Sequence, residues 1–247
     1  MSDGRNFVKT GAAILTLFDT PQWCFSREQR PLRLVASHDL RQMATLKPLV
    51  VIGGVHGDEP EGVELASQCL HWLQVDARKP HQQPHRPWIL IPVLNPDGVF
   101  HQQRTNGANV DLNRNYPSRN WSPQARAPRY FPGPTPASEP EIQALVQLID
   151  DVRPSLIIHC HSWNPCIVKA GPADLAEALV LKRATGYELK DDIGYPTPGS
   201  LSEYGWFDKG IPVICIEEQE HIDLKTIWPR FASAFAEIFS MTEAQAL

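Results

Sequence analysis

The chain has 247 residues, 42% of them hydrophobic and 21% charged, with a net charge of −5. That length suits one large domain with a sizeable core. A mildly acidic chain without basic clusters argues against nucleic acid or an anionic membrane surface as partner.

Residues 11–18 are apolar and follow Lys9, but the run is short and flanked by Asp3 and Asp19, so it predicts a strand rather than a signal peptide. No stretch approaches the ~20 apolar residues of a membrane helix, and the expectation is a soluble cytoplasmic protein. Residues 49–54 form an apolar, β-branched run, the pattern of a strand buried on both faces. His56 follows it directly, and Pro60 fits the first turn of a helix, where a missing N–H costs nothing. Val63, Leu65, Ala66, Leu70 and Leu73 continue that helix. Residues 88–94 predict a second core strand, ended by the turn Asn95-Pro96-Asp97-Gly98. Residues 117–138, rich in Pro, Arg, Ser and aromatics, predict a long surface loop. Ser138 and Glu141 stand at capping-box spacing ahead of a helix whose buried face is Ile142, Leu145, Val146 and Ile149. A third strand over 155–160, a helix over 172–185, a fourth strand over 211–216 and a closing helix over 224–239 complete the pattern. Strands alternating with helices predict a single α/β domain spanning 1–247, with a mixed, largely parallel twisted sheet and helices on both faces.

The five cysteines, Cys24, Cys69, Cys160, Cys166 and Cys215, are odd in number and irregularly spaced, so they do not form a disulfide framework. Cys160 and Cys215 lie in apolar runs and read as small buried hydrophobes.

Three groups with chemistry stand at or just past the carboxyl ends of predicted core strands, the edge where open α/β sheets bind ligands. His56 and Glu59 are three apart on a turn, close enough to share one ion. His161 closes the run Leu156-Ile157-Ile158-His159-Cys160-His161. It shares a face with His159 by the period of two, and the strand end favours His161 as ligand, with His159 a satisfied core residue. Two imidazoles and a carboxylate with one position left for water make a catalytic zinc site, one ion per chain. Glu217 ends the fourth apolar run, where a glutamate near a metal can take a proton from water and pass it to a leaving amine. Glu218 points to the opposite face. Asp111 can hold the outer nitrogen of a ligating imidazole, Arg104 can donate to a developing oxyanion, and Arg114 with Asn113 can grip a carboxylate.

These segments resemble the zinc carboxypeptidases of the M14 type. The shared elements are His56-x-x-Glu59, Asn95-Pro96-Asp97-Gly98, Arg104, Asp111-x-Asn113-Arg114-Asn115, Ser138-Glu139-Pro140-Glu141, His161-Ser162 and the strand ending in Glu217, in family order over residues 49–218. The resemblance implies zinc held by His56, Glu59 and His161, Glu217 as general base, Arg104 as oxyanion donor, and Asn113 with Arg114 as the clamp for a C-terminal carboxylate. It also implies that Tyr195, 22 residues before Glu217, closes over the substrate. Gly194-Tyr195-Pro196-Thr197-Pro198-Gly199-Ser200 and the run Asp111 to Pro117 are most similar to the murein peptide amidases, bacterial cytoplasmic enzymes that cut γ-D-glutamyl–diaminopimelate bonds in wall recycling. His161-Ser162-Trp163 and Glu218-Gln219-Glu220 depart from those amidases, which leaves the zinc chemistry intact and bears on the substrate. The expected partner is a small peptide with a free C-terminal carboxylate. The rival readings are an acyl-amino-acid deacylase of the succinylglutamate desuccinylase or aspartoacylase type, a plain α-peptide carboxypeptidase, and a catalytically silent zinc-stabilised module.

Overall fold

The computed structural model describes residues 17–75 and 84–241. Eight strands, β1 (Phe18–Phe25), β2 (Pro31–Ala36), β3 (Leu49–Ile52), β4 (Trp88–Ile91), β5 (Leu156–Trp163), β6 (Cys166–Ala170), β7 (Glu188–Lys190) and β8 (Val213–Gln219), form one sheet ordered β1-β2-β4-β3-β5-β8-β6-β7. The central pairs β4–β3, β3–β5 and β5–β8 are parallel, as is β6–β7; β1–β2, β2–β4 and β6–β8 are antiparallel. The sheet is thus mixed around a parallel core, as the alternating pattern predicts.

Among the described residues six α-helices accompany it: α1 (Leu40–Leu46), α2 (Pro60–Val75), α3 (Pro96–His101), α4 (Pro140–Val152), α5 (Ala176–Thr185) and α6 (Ile227–Ser240). Helices α2, α5 and α6 pack Leu65, Cys69, Leu181, Phe231 and Phe235 with Leu49, Val51, Ile158 and Ile216 on one face. Helices α1 and α4 pack Met43, Ile142, Leu145 and Ile149 with Val50, Ile52, Ile157 and Val213 on the other. Side chains alternate between these faces. His159 and His161 therefore follow Ile157 to the α4 side, and Cys215 and Glu217 follow Val213. The odd residues of β5 and β8 stand in register, His159 beside Cys215 and His161 beside Glu217. Near the carboxyl ends of β3 and β5 the strand order reverses direction, since β4 lies on one side of β3 and β5 on the other. A crevice opens at such a point.

Several expectations change. Residues 11–16 of the predicted first strand lie outside the described residues, and β1 begins at Phe18. Pro21 is accommodated because β1 is an edge strand whose register shifts between Thr20 and Cys24. Asn95-Pro96-Asp97-Gly98 does not merely end a strand. It opens α3, with Asn95 accepting the Gly98 N–H at 2.8 Å and Pro96 in the first turn. Strands β5 and β8 run beyond His161 and Glu217, because pairing continues to Trp163 and Gln219. The helix expected from 172 starts at Ala176, and the closing helix at Ile227 after a short 3-10 turn. Ser138 does not cap α4. Its hydroxyl donates to Glu139 Oε1 at 2.7 Å and accepts from Asn115, and Asn115 Oδ1 also takes the Glu139 N–H.

Glu141, expected to reach back in a capping box, turns into the protein. It is fully buried and accepts the Arg27 N–H at 3.1 Å. Burial, with the nearby charges of Asp97 and Glu139, pushes its carboxyl up to about 7. A carboxyl raised on folding contributes stability that is fully present below its ordinary value near 4.5 and is lost as pH rises through 7. The wild type and Glu141→Gln should therefore match in stability at pH 4.5, and the wild type should fall behind by on the order of 2 kcal/mol at pH 8. Urea unfolding of both proteins across that range checks this; a difference that does not change with pH contradicts it.

Candidate metal centre and active-site cavity

His56 sits on the turn between β3 and α2. Gly57 is needed there because the turn lies against the α3 backbone: a Cβ on Gly57 would fall 1.8 Å from the Gly98 carbonyl carbon. Asn95 ties the region together. While capping α3 it donates to the carbonyls of Val55 and Arg104, both at 3.2 Å. One buried amide thus fixes the residue before His56 and the start of the loop that carries Asp111.

Three side chains meet at one point. His56 Nδ1 lies 2.7 Å from Glu59 Oε1, His161 Nδ1 lies 2.8 Å from Glu59 Oε2, and the two nitrogens are 3.0 Å apart. All three groups are buried. The outer nitrogens explain the orientation. His56 Nε2 lies 3.1 Å from Asp111 Oδ1, a carboxylate that can only accept, and His161 Nε2 is paired with His159 Nδ1 at 2.8 Å. An imidazole that donates from Nε2 keeps its lone pair on Nδ1. With both rings in that tautomer, two lone pairs and a carboxylate face one another, an arrangement that suits a cation. Among the described residues His56, Glu59 and His161 form one of two groups able to hold an ion. The other, His159, His161 and Cys215, shares His161. In that group His159 Nδ1 and His161 Nε2 are already paired with each other at 2.8 Å, so the Glu59 set fits a metal better.

Asp111 is the second anchor. It is fully buried, and besides His56 it accepts from Arg104 Nε at 2.9 Å and the Asn113 N–H at 2.9 Å. Burial acts to raise its carboxyl, but Arg104 and His56 outweigh that and hold it well below the usual carboxylate range. Arg104 also reaches Glu59 Oε1 at 3.2 Å. Burial pushes the His161 imidazole below its ordinary value, toward the neutral form that ligates metals.

These groups open onto a cavity of about 820 Å³ lined also by Asn113, Arg114, Tyr195 and Glu217. Glu217 is 5% exposed. Burial, reinforced by the charge of Glu59, pushes its carboxyl up to about 8, and a cation beside Glu59 acts in the opposite direction. Cys215 donates to Glu217 Oε1 at 3.3 Å and borders the cavity, so it is not only the core hydrophobe expected from sequence. All five cysteines are free. Arg114 is buried, donates to its neighbour's carbonyl, and has no carboxylate partner among the described residues. Asn113 accepts the Leu201 N–H through Oδ1, which leaves its amide nitrogen for a ligand. The segment carrying Tyr195 docks through Gly199: its φ is +74°, and a Cβ there would lie 2.1 Å from the Arg114 carbonyl oxygen. Glu218 lies across the sheet, fully buried and paired with Arg230 at 2.7 Å, so it does not reach the cavity. Glu220 does line it.

His159, expected to be a satisfied core residue, is not one: its Nδ1 is paired with His161, and its Nε2 has no hydrogen-bond partner among the described residues. Arg126, Arg129 and Tyr130 also line the cavity and were read only as loop. The spacing of His159 and His161 carried a signal, while the loop residues carried none.

The family model described as zinc carboxypeptidase, M14 type, matches residues 21–176. A curated relative, murein peptide amidase A of Escherichia coli K12, is 32% identical over 166 residues, covering 63% of this chain and 64% of the relative. Carboxypeptidase SOL1 of Arabidopsis thaliana is 30% identical over 142 residues, 54% of this chain and 24% of that protein. Among solved structures, murein-tripeptide amidase from E. coli O157 aligns with a TM-score of 0.73 at 27% identity, covering 94% of each chain. Carboxypeptidase A of Helicoverpa armigera aligns at 0.74 and 19% identity, over 90% of this chain and 66% of that one, a likeness of fold.

An ion held at this cluster predicts a graded response to mutation. His161→Ala should remove most of the bound metal. His159→Ala should weaken affinity about 10–100-fold, the usual loss when the group behind a metal ligand is deleted. Chelator competition with zinc measures both, and undiminished affinity in His161→Ala contradicts the assignment.

Proposed function

Because this chain belongs to the M14 zinc carboxypeptidase family, we propose that it is a zinc-dependent amidase that removes a carboxyl-terminal residue, most specifically diaminopimelate from γ-D-glutamate in murein peptides. The observation that carries this reading is that one cavity holds the His56–Glu59–His161 cluster, a buried glutamate and an arginine without a carboxylate partner. The relatives named murein peptide amidase support the substrate.

Zinc, when bound, supplies Lewis-acid chemistry, polarising a carbonyl and acidifying water. His56, Glu59 and His161 would hold it, with Asp111 and His159 fixing the imidazoles. Arg114 and the amide of Asn113 take the terminal carboxylate, which orients the scissile carbonyl toward the cluster. Arg104, itself held by Asp111, donates to the oxygen on which charge develops. Glu217 accepts the proton of the attacking water and returns it to the leaving amine. Tyr195 closes the rim over the bound residue. Asp191, Asp192, Glu203 and Glu220 also line the cavity, which suits the cationic distal amine of diaminopimelate.

Glu217→Gln keeps size and reach but cannot accept a proton. It should retain metal and lose kcat by roughly 10²–10⁴; near-normal turnover moves the role elsewhere. Arg114→Ala should cut free-acid substrates poorly and no longer discriminate against their amides; amidated peptides cut as fast as free acids by the wild type contradict the clamp. Incubation with L-Ala-γ-D-Glu-meso-diaminopimelate, α-linked peptides and N-acyl amino acids, read by mass spectrometry, tests the substrate. Release of diaminopimelate is expected. Cleavage of α-linked peptides alone leaves a plain carboxypeptidase, and cleavage of N-acyl amino acids alone a deacylase.

A further inference from the structure

Tyr130 stands among four cations. The guanidinium carbons of Arg104, Arg114, Arg126 and Arg129 lie 5.0, 5.7, 4.2 and 5.6 Å from its ring centre. Like charges so close repel unless anions join them. Arg104 has Asp111 and Glu59, and Arg129 has Asp58 at 3.2 Å. Arg114 is the partner of the substrate's terminal carboxylate in the reading above. One cation remains. Arg126 has no carboxylate partner among the described residues; it donates to the Tyr130 hydroxyl at 2.7 Å, and its guanidinium carbon stands over the Tyr195 ring, 3.8 Å from the ring centre. Stacking occupies the face of a guanidinium and leaves its other edge N–H groups available for a carboxylate.

Position decides what Arg126 can meet. Val168, Ala170 and Cys215, all buried, belong to the inner lining of the cavity. Arg126 and Arg129 are exposed, and Tyr195, over which Arg126 stacks, packs edge-on against the exposed Trp163 at 6.4 Å. With the leaving residue held inside by its carboxylate, the acyl part of a substrate has only the rim through which to leave. The surplus cation therefore faces the acyl side of the scissile bond.

We propose that Arg126, backed by Arg129 and Tyr130, forms a second carboxylate subsite that reads a free carboxylate on the residue just ahead of the scissile bond. The inference rests on the clamp and cavity orientation of the proposed function. It gives a physical basis for choosing a γ-linked glutamate. In that linkage the α-carboxylate of the glutamate stays free beside the reacting bond, whereas an α-linked neutral residue offers nothing anionic there.

The test compares two substrates that differ in one group, L-Ala-γ-D-Glu-meso-diaminopimelate and its analogue with the glutamyl α-carboxylate converted to carboxamide. The wild type should prefer the free acid by about 10–100-fold in kcat/KM, the order of a charge-assisted hydrogen bond, with most of the effect in KM. Arg126→Gln should bring that ratio close to one, and Arg126→Lys, which keeps the charge but not the paired edge, should fall between. The ratio does not depend on how much of each variant is folded. Equal rates on both substrates by the wild type, or an undiminished preference in Arg126→Gln, overturns the subsite. If no γ-linked substrate is cut while α-linked ones are, the amidase reading fails by itself. The subsite then stands or falls on the same ratio, measured with α-linked peptides carrying penultimate Glu against Gln.

Discussion

Two imidazole lone pairs and one carboxylate converge within about 3 Å in a place shielded from water, and the rest of the site is organised around making that convergence tolerable. Each donor is held from behind. Asp111 fixes the His56 ring and His159 fixes the His161 ring. Arg104 bridges Asp111 and Glu59, so the negative side of the cluster carries its own counter-charge. Such a donor set is a scaffold for a cation, and the outer partners determine which nitrogen each ring presents.

The fold delivers these groups by simple periodicities. Residues 157, 159 and 161 of β5 and 213, 215 and 217 of β8 share a face, so the apolar half of each strand meets α1 and α4 while its polar half reaches past them. Where those helices stop, the loops around Arg104–Tyr130 and Asp191–Phe207 supply the cavity walls. Two buried asparagines hold the first of these loops. Asn95 ties Arg104 to the turn before His56, and Asn115 donates to the carbonyls of Pro132 and Thr135 and accepts the Glu139 N–H. The cavity lining carries both signs of charge, with Arg104, Arg114, Arg126 and Arg129 beside Asp191, Asp192, Glu203 and Glu220. That arrangement suits a small peptide carrying both signs of charge.

The parallel core was legible because strands buried on both faces read as uninterrupted apolar runs, as over residues 49–52 and 156–158. The edge hairpin β1–β2 was not, since Pro21, Arg33 and a register shift break any alternation. Strand β6 follows Pro165 and spans only Cys166–Ala170, too short a signal beside its turn. At the site, His56, His161 and Glu217 could be picked out because each is a polar residue attached to an apolar run, and Glu59 because it stands three residues from His56 on the same turn. Asp97 and Glu141 could not be placed: both look like surface acids in sequence, and both are buried by contacts with the Ser26–Arg30 turn. Arg126 and Tyr130 belong to a loop with no period, so only tertiary structure brings them to Tyr195.

Zinc K-edge X-ray absorption on the zinc-loaded protein tests the central claim directly. The account predicts one zinc per chain in a shell of light atoms only, two imidazole nitrogens and carboxylate or water oxygen at about 2.0–2.2 Å, with an imidazole signal that falls in His56→Ala. A sulfur scatterer near 2.3 Å, as a site built on Cys215 requires, or zinc without the two-imidazole signature, would contradict it.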